Sequence, residues 1–210
     1  PVTFAIITAM VAAYGPEAVA GFAVASRLES IVLIVVFALQ SSVGPVVGQN
    51  FGAGNLGRAG QAIYVANRFL LAYCFFFGCL LFIIARPLAS IFDDDPLVIA
   101  TAVSYLRIVP ITLGTFGVML VAVSSLNALG RPMPAAVLTL IKLFAVYLPL
   151  AWLLSRLIGI SGIFAANAAS HLLIGVTSFV WLRKILESIS AEDQSVQGPS
   201  SEIVRSSDSG

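Results

Sequence analysis

Charged side chains are scarce in this 210-residue sequence: Asp, Glu, Lys and Arg together make up 10% of it. A soluble globular domain carries about 25% charged residues. This chain therefore has too few charges to cover one folded core with a water-facing surface. Hydrophobic residues make up 59% of the chain, and the composition predicts a membrane protein whose main solvent is lipid.

The sequence has only two cysteines and one histidine. Cys74 and Cys79 lie five positions apart in an apolar run, so on a helix they point to different faces. Two buried thiols are favoured over a disulfide. His171 has no neighbouring Cys, His or carboxylate that would complete a metal site. A net charge of +1 gives no sign of nucleic-acid binding, so we expect neither a cofactor nor a nucleic-acid partner.

Catalytic motifs are also absent: the sequence has no H-E-x-x-H, G-x-S-x-G or P-loop pattern. Gly52, Gly54 and Gly57 do form a G-x-G-x-x-G pattern within the stretch 48–59. A dinucleotide fingerprint needs a short strand before it and an acid about 20 residues later. Here a membrane-length apolar run precedes the glycines, and the next acid is Asp93. We therefore predict a glycine-rich turn, and no enzyme.

Long apolar runs dominate what is present, and in lipid such runs must form helices that satisfy their own backbone hydrogen bonds. The predicted fold class is all-α, a polytopic transmembrane bundle of about six helices. The first run reaches only ~20 Å, short of the ~30 Å hydrocarbon core. That shortness, and a first residue that is Pro1 rather than Met, suggest a fragment. The six predicted segments are 1–13, 18–47, 58–85, 96–129, 133–154 and 160–186.

Helix signals and charges organise these segments. Three aspartates at 93–95 followed by Pro96 predict a helix start, and Pro110 predicts a kink. Gly21 with Ala25, and Gly44 with Gly48, form small-x3-small steps for close helix packing.

Two regions differ in composition. Residues 1–187 form the predicted transmembrane lobe, whose first helix is truncated. Residues 188–210 are rich in Ser, Glu, Asp, Gln and Gly, which predicts a disordered tail. Basic residues concentrate at one end of the bundle, so the positive-inside rule puts that end, and the tail, on the cytoplasmic side of a multi-pass inner (plasma) membrane protein. These residues are Arg58, Arg68, Arg131, Arg183 and Lys184.

Three stretches carry a family resemblance: AAYGPEAVAGFAVASRLES at 12–30, PVVGQNFGAG at 45–54 and NALGRP at 127–132. Together they resemble the second half of multidrug and toxic compound extrusion (MATE) transporters, over about residues 1–186. The resemblance implies twelve helices in two lobes that exchange H⁺ or Na⁺ for organic cations and other drugs. This chain would supply helices seven to twelve, with membrane lipid and a missing amino-terminal lobe as partners.

The resemblance also exposes a departure. Several branches of the family use one carboxylate in the seventh helix and another in the tenth, whereas this chain has no acid in 1–13 and none after Pro96 in the fourth segment. Another branch uses an acid in the first helix. The coupling ion therefore stays open between H⁺ and Na⁺, and Glu29 is the only intramembrane acid available.

Glu29 lies two to three turns into the second segment, where a charge costs roughly 3 kcal/mol. Gln40 follows by eleven positions, close to three turns, so the two share a face that suits an organic cation or a proton. Arg27 points to nearly the opposite face, and Phe37 is a candidate aromatic contact, as are Phe116 and Tyr147. The alternative is that Glu29 pairs with a basic residue such as Arg107 and only fixes packing.

Two later segments carry further candidates. His171 and Asn167 share a face of the sixth segment with Ser170, Ile174 and Ser178. The histidine could relay protons, or it could make an interhelical hydrogen bond. Lys142, well inside the fifth segment, is interpreted as a structural counter-ion.

Two rival functions remain. A lipid-linked oligosaccharide flippase of the same superfamily would need more intramembrane cations than Arg27, Arg107 and Lys142. A non-transporting membrane scaffold is the other alternative.

Overall fold

The computed structural model describes the backbone of residues 2–207 and the side chains of residues 4–189. Pro1 and residues 208–210 of the predicted tail lie outside the described residues. The described chain is helical and contains no strand. Its α-helices are α1 (Val2–Ala12), α2 (Pro16–Gly52), α3 (Leu56–Ala89), α4 (Pro96–Ile108), α5 (Leu113–Ala128), α6 (Pro132–Leu140), α7 (Leu148–Ile158) and α8 (Ile160–Ser207).

Five helical segments of the described chain are long and apolar enough to cross a membrane. With the shorter α1, they reproduce the six predicted segments and confirm the all-α transmembrane fold class. The segments are Pro16–Gly52, Leu56–Ala89, Pro96–Ala128, Pro132–Ile158 and Ile160–Ile189. Helix α8 continues through 188–207, where the composition predicts disorder. The division into lobe and tail stays a prediction.

Local signals explain where several helices begin and end. Asp95 caps α4, because its Oδ1 accepts a 2.7 Å hydrogen bond from the Leu97 amide, and Pro96 follows at the first helical position. This confirms the predicted start. Gly54 (φ 73°) and Gly130 (φ 71°) adopt the left-handed conformation that ends α2 and α5.

Two predicted boundaries were wrong. The sequence predicted a turn over 48–59, but α2 continues through Pro45 to Gly52, so the chain reverses within residues 53–55. Helix α3 likewise continues past Arg86 and Pro87 to Ala89. In a membrane helix, neighbouring groups can compensate for the hydrogen bond that a proline removes.

Two spans are not continuous α-helices. Between α4 and α5, Pro110–Thr112 forms a 3₁₀ turn, so the regular α-helix is interrupted at the proline where the sequence predicted a kink. Between α6 and α7, Ile141–Tyr147 is a π-helix, which the sequence analysis missed. Pro149 follows closely, and its ring would crowd the carbonyl four residues earlier in a regular α-helix. The wider π turn relieves that crowding.

Glycines set how closely α2 approaches α4 and α5. A Cβ at Gly21 would collide with the Val98 carbonyl oxygen, and a Cβ at Gly44 would lie 2.6 Å from Ser124 Oγ. Ala25 is fully buried, and a Cβ at Gly48 would touch Ala128 at 3.6 Å. Both small-x3-small steps therefore lie at the helix contact for which they were predicted.

Gly175 performs the same task between α8 and α5, since a Cβ there would lie 2.5 Å from the Thr115 carbonyl oxygen. We expect Gly175→Ala to destabilise the protein by about 1–3 kcal/mol, the usual cost of overpacking. The thermal unfolding midpoint in detergent measures this. Gly60→Ala is the matched control, because no atom lies within 4 Å of its added Cβ, and a midpoint shared by both variants would contradict the prediction.

Candidate functional site

A buried carboxylate bound to a buried phenol forms the centre of the candidate site. Tyr105 Oη donates a 2.6 Å hydrogen bond to Glu29 Oε2 across 76 residues of sequence. Only 8% of Glu29 and 3% of Tyr105 are exposed. The Tyr105 ring packs edge-on against Phe22 and Phe164, with centroids 5.4 and 5.0 Å away. These aromatic contacts fix the direction of the hydroxyl, so the carboxylate has a dedicated donor.

A positive charge lies beside this pair. Lys142, in the π-helix, interacts electrostatically with both Glu29 and His171. Its Nζ lies 3.7 Å from the centre of the Phe116 ring rather than within 4.0 Å of the carboxylate. A cation over an aromatic face is stabilised by roughly 0.5–2 kcal/mol, depending on how far it is removed from water. The ammonium is therefore held by the ring while its field still reaches Glu29.

His171 packs against the same aromatic ring. Its imidazole stacks on Phe116 with centroids 4.9 Å apart, and its Nδ1 is 3.2 Å from Thr112 Oγ1. Thr112 already donates its hydroxyl hydrogen to the Val109 carbonyl at 2.8 Å. Its oxygen therefore accepts from Nδ1–H, so in a neutral imidazole the hydrogen is on Nδ1. The Nε2 lone pair is left as the position that can take a proton.

Helix irregularities place these groups together. Thr112 belongs to the 3₁₀ turn of one span, and Lys142 and Tyr147 belong to the π-helix of another. Such breaks within membrane helices commonly mark substrate or ion sites, because they offer backbone and side-chain groups that a regular helix does not present. We define the coupling cluster as the seven side chains Glu29, Tyr105, Thr112, Phe116, Lys142, Tyr147 and His171.

Of the residues predicted for the site, Glu29 and His171 are in the coupling cluster. Gln40 is half-buried, and its backbone carbonyl accepts a 2.9 Å hydrogen bond from Ser124 Oγ. Asn167 is buried on the same face of α8 as His171. Arg27 is exposed, and Phe37 is 47% exposed. The structure thus does not bring Arg27 or Phe37 to the cluster.

Arg107 was the suggested partner of Glu29, and that suggestion was wrong. Its side chain is exposed, and the guanidinium lies 5.5 Å from the centre of the Phe82 ring. The partner is Tyr105, two residues earlier and therefore on a different face of α4. Tyr105 and Thr112 were both missed. A tyrosine and a threonine flanking the Pro110 kink in an otherwise apolar span were the available signals.

Tyr105→Phe isolates the hydrogen bond to the carboxylate. We expect it to lower stability by about 1.5–3 kcal/mol, since a bond to a charged group is lost inside the protein. The thermal midpoint in detergent is the measurement. Tyr73→Phe is the control, because Tyr73 contacts the rings of Phe69 and Phe77 and makes no hydroxyl hydrogen bond among the described side chains. Equal thermal midpoints for Tyr105→Phe and Tyr73→Phe would show that the Tyr105 hydroxyl contributes nothing to stability.

Comparison with known proteins now decides the family. The family model described as MatE matches residues 1–153. The chain belongs to the MatE family. This confirms the resemblance seen in the sequence, and members of the family are transporters rather than enzymes.

The named relatives differ in the kind of solute that their names indicate. A protein named FAD transporter, from Shewanella oneidensis, is 38% identical over 91% of this chain and 42% of its own length. The probable multidrug resistance protein YpnP, from Bacillus subtilis, is 26% identical over 84% of this chain and 40% of its own length. This chain therefore spans less than half the length of the relatives it matches.

Solved structures confirm the fold. The bent form of the Vibrio cholerae MATE transporter VcmN superposes with a TM-score of 0.84 and 31% identity. The match covers 90% of this chain and 43% of VcmN. The MatE chain described here accordingly has the architecture of one lobe of a MATE transporter.

Proposed function

We propose that this chain forms one lobe of a secondary antiporter in which Glu29 carries the coupling proton. The observation that carries the proposal is the buried hydrogen bond between Tyr105 and Glu29 beside the Lys142 charge. The negative charge of the Glu29 carboxylate is stabilised by one hydrogen-bond donor, Tyr105, and one nearby cation, Lys142. Protonation removes its charge and leaves Lys142 without a counter-charge inside the lobe.

That change gives a physical reason for coupling. An unbalanced charge inside a membrane protein is costly, so the protonated cluster favours an arrangement in which Lys142 is better solvated. The deprotonated cluster favours the arrangement with the charges balanced. Rocking of two lobes between inward and outward openings would then follow the proton, and a transported solute would be driven in the opposite direction.

A proton fits the coupling cluster better than Na⁺. Hard cations such as Ca²⁺ and Mg²⁺ bind several oxygen ligands, and Na⁺ has similar needs. Among the residues described, no group of three His, Cys, Asp or Glu side chains comes together. The Lys142 ammonium also repels a metal cation near Glu29. A proton needs only the carboxylate itself.

For the substrate, we propose organic solutes, first of all cationic drugs. Two relatives are named as probable multidrug resistance proteins, YpnP from Bacillus subtilis and NorM from Thermotoga maritima. A second candidate is a flavin dinucleotide, supported by the higher identity to the relative named FAD transporter. A pyrophosphate-linked lipid is less favoured, because Arg27 and Arg107 are exposed and only Lys142 contributes a cation to the coupling cluster.

The transport test uses the protein as its gene encodes it, in proteoliposomes. One arm follows a cationic dye such as ethidium and the other follows FAD, each under an imposed pH gradient or an imposed Na⁺ gradient. We expect dye movement driven by the pH gradient and indifferent to Na⁺. FAD movement alone would select the second candidate, while transport driven only by Na⁺ would overturn the role of Glu29. Multi-pass insertion in the plasma membrane with the tail cytoplasmic is part of the same proposal.

A further inference from the structure

A long cleft lies between α2 and α3, near the basic end of the lobe. Its volume is about 570 Å³, within the roughly 300–1,000 Å³ of sites that hold drug-sized ligands. None of the seven side chains of the coupling cluster lines it, so the cleft is a separate feature of the lobe. Its walls include Leu39 and Val46 of α2 and Arg58, Gln61, Val65 and Phe69 of α3.

The cleft changes from polar to apolar along its length. Arg58, Gln61, Val65 and Phe69 follow one another at steps of three or four residues, so they share one face of α3. Arg58 and Gln61 lie at the basic end, and the distance along the helix from Arg58 to Phe69 is ~17 Å at about 1.5 Å per residue. Half of a ~30 Å hydrocarbon core is ~15 Å. The cleft thus extends from the membrane surface through about one leaflet.

The polar end of the cleft carries an unpaired positive charge. Arg58 is exposed, and its guanidinium makes no ion pair, hydrogen bond or ring contact with any described side chain. At the same end, Arg68 lies over an aromatic ring and Arg183 pairs with a carboxylate 2.9 Å away. The Gln61 amide is exposed one turn after Arg58 and also has no partner among the described side chains. Together they offer donors to a phosphate, which arginine often binds through two parallel hydrogen bonds, and no described residue lining the cleft is acidic.

The walls of the apolar part face out of the lobe. Val46, Val65 and Phe69 are 42%, 57% and 49% exposed. Ser42 leaves no unpaired polar hydrogen there, because its hydroxyl donates to the Ala38 carbonyl at 2.9 Å. In a membrane-spanning lobe, such a surface is suited to contact with hydrocarbon. An acyl chain therefore fits the apolar part of the cleft, as a phosphate fits its polar end.

We propose that the cleft binds an anionic phospholipid, with the phosphate against Arg58 and Gln61 and one acyl chain between α2 and α3. Basic residues beside a membrane attract anionic lipids, and basic pockets between transmembrane helices bind lipid headgroups. The apolar length of the cleft favours a lipid over a soluble anion. Every α2 residue that lines the cleft follows Glu29 by ten positions or more, so the lipid site does not depend on the coupling proton.

Lipid binding to the protein as its gene encodes it tests the polar end of the cleft. Native mass spectrometry of the detergent-solubilised protein, titrated with dioleoyl phosphatidylglycerol, measures the affinity. We expect Arg58→Gln to weaken that affinity about five-fold, the effect of one arginine near an anionic lipid. Arg131→Gln is the matched control, because Arg131 is exposed at the same end, makes no ion pair with a described residue and does not line the cleft. Equal affinities of the two variants would overturn the proposal, as would equal binding of phosphatidylcholine or competition by soluble glycerol phosphate.

Tryptophan fluorescence tests the position of the acyl chain. In a background without other tryptophans, the Phe69→Trp variant is reconstituted with lipids that carry bromine on their acyl chains. We expect brominated phosphatidylglycerol to quench the emission more strongly than brominated phosphatidylcholine, and Arg58→Gln to remove that preference. Phe75→Trp is the control, since Phe75 is a 62% exposed position of α3 outside the cleft, where the two lipids should quench alike.

Equal quenching by the two lipids at position 69 would overturn the proposal. No quenching there by either lipid would show that another part of the protein covers the cleft, and would overturn it as well. Neither measurement involves transport, so a failure of proton coupling would leave the lipid site standing.

Discussion

Glu29→Gln is expected to abolish proton-driven transport while the protein still folds. Glutamine has nearly the same shape as glutamate and can still accept the hydrogen bond from Tyr105, but it cannot exchange a proton. We expect the rate under a pH gradient to fall by about ten-fold or more, as when a group needed for the driven step is lost. The measurement is dye or FAD movement in proteoliposomes at matched protein content.

Glu17→Gln is the matched control for this substitution. Glu17 occupies the first turn of the same helix, half-buried and away from the coupling cluster. Its neutralisation removes only a favourable interaction with the helix amino terminus, typically 0.3–1 kcal/mol. Transport by the control should stay near the wild-type rate. If Glu29→Gln transports as well as Glu17→Gln, with normal expression, Glu29 has no part in coupling.

Removing Lys142 should lower the stability of the protein, and a second substitution should reverse most of that loss. Lys142→Met keeps the apolar stem and deletes the charge that balances Glu29. Breaking a direct buried ion pair costs roughly 3–5 kcal/mol. Because Lys142 is half-buried and does not directly contact the carboxylate, we expect a smaller loss, about 1–2 kcal/mol. The thermal midpoint in detergent measures it.

The double variant Glu29→Gln with Lys142→Met separates this explanation from simple loss of packing. With both charges gone, no uncompensated charge is left inside the lobe, so the midpoint should return most of the way to that of Glu29→Gln alone. This is a double-mutant cycle, and it reports the coupling between the two positions. Additive losses would mean that Lys142 stabilises the protein only through its contact with Phe116.

The architecture could be predicted because it depends on local features of the sequence. Apolar length gave the six segments, and the resemblance of 12–30 and 45–54 gave the family. Asp95 with Pro96 gave a helix start, and Pro110 gave an interruption of the regular helix. Each of these signals lies within a few residues of its structural effect. Boundaries at Gly52 and Ala89 were missed because proline and glycine interrupt membrane helices less strictly than soluble ones.

The centre of the site could be predicted only in part. An acid or a single histidine within an apolar run is easily recognised in the sequence, and Glu29 and His171 were therefore found. Their partners lie elsewhere in the chain: Tyr105 is 76 residues from Glu29, and Thr112 is 59 residues from His171. Which face of one helix meets another is set by packing, and Gly21, Gly44 and Gly175 bring the helices close enough for those contacts.

The π-helix at Ile141–Tyr147 changes how the register of this span must be compared with that of a span that is α-helical throughout. On a regular helical wheel, residues 142 and 147 are separated by about 140°, since each step turns 100°. In a π turn the bonding runs from residue i to i+5, which widens the turn and brings residues five apart closer to the same face. Lys142 and Tyr147 can thereby act on Glu29 and Tyr105 together. A one-residue deletion in this turn would leave the two residues four positions apart, about 40° from each other on a regular wheel, so a related span that lacks the π turn matches this one only through a one-residue gap.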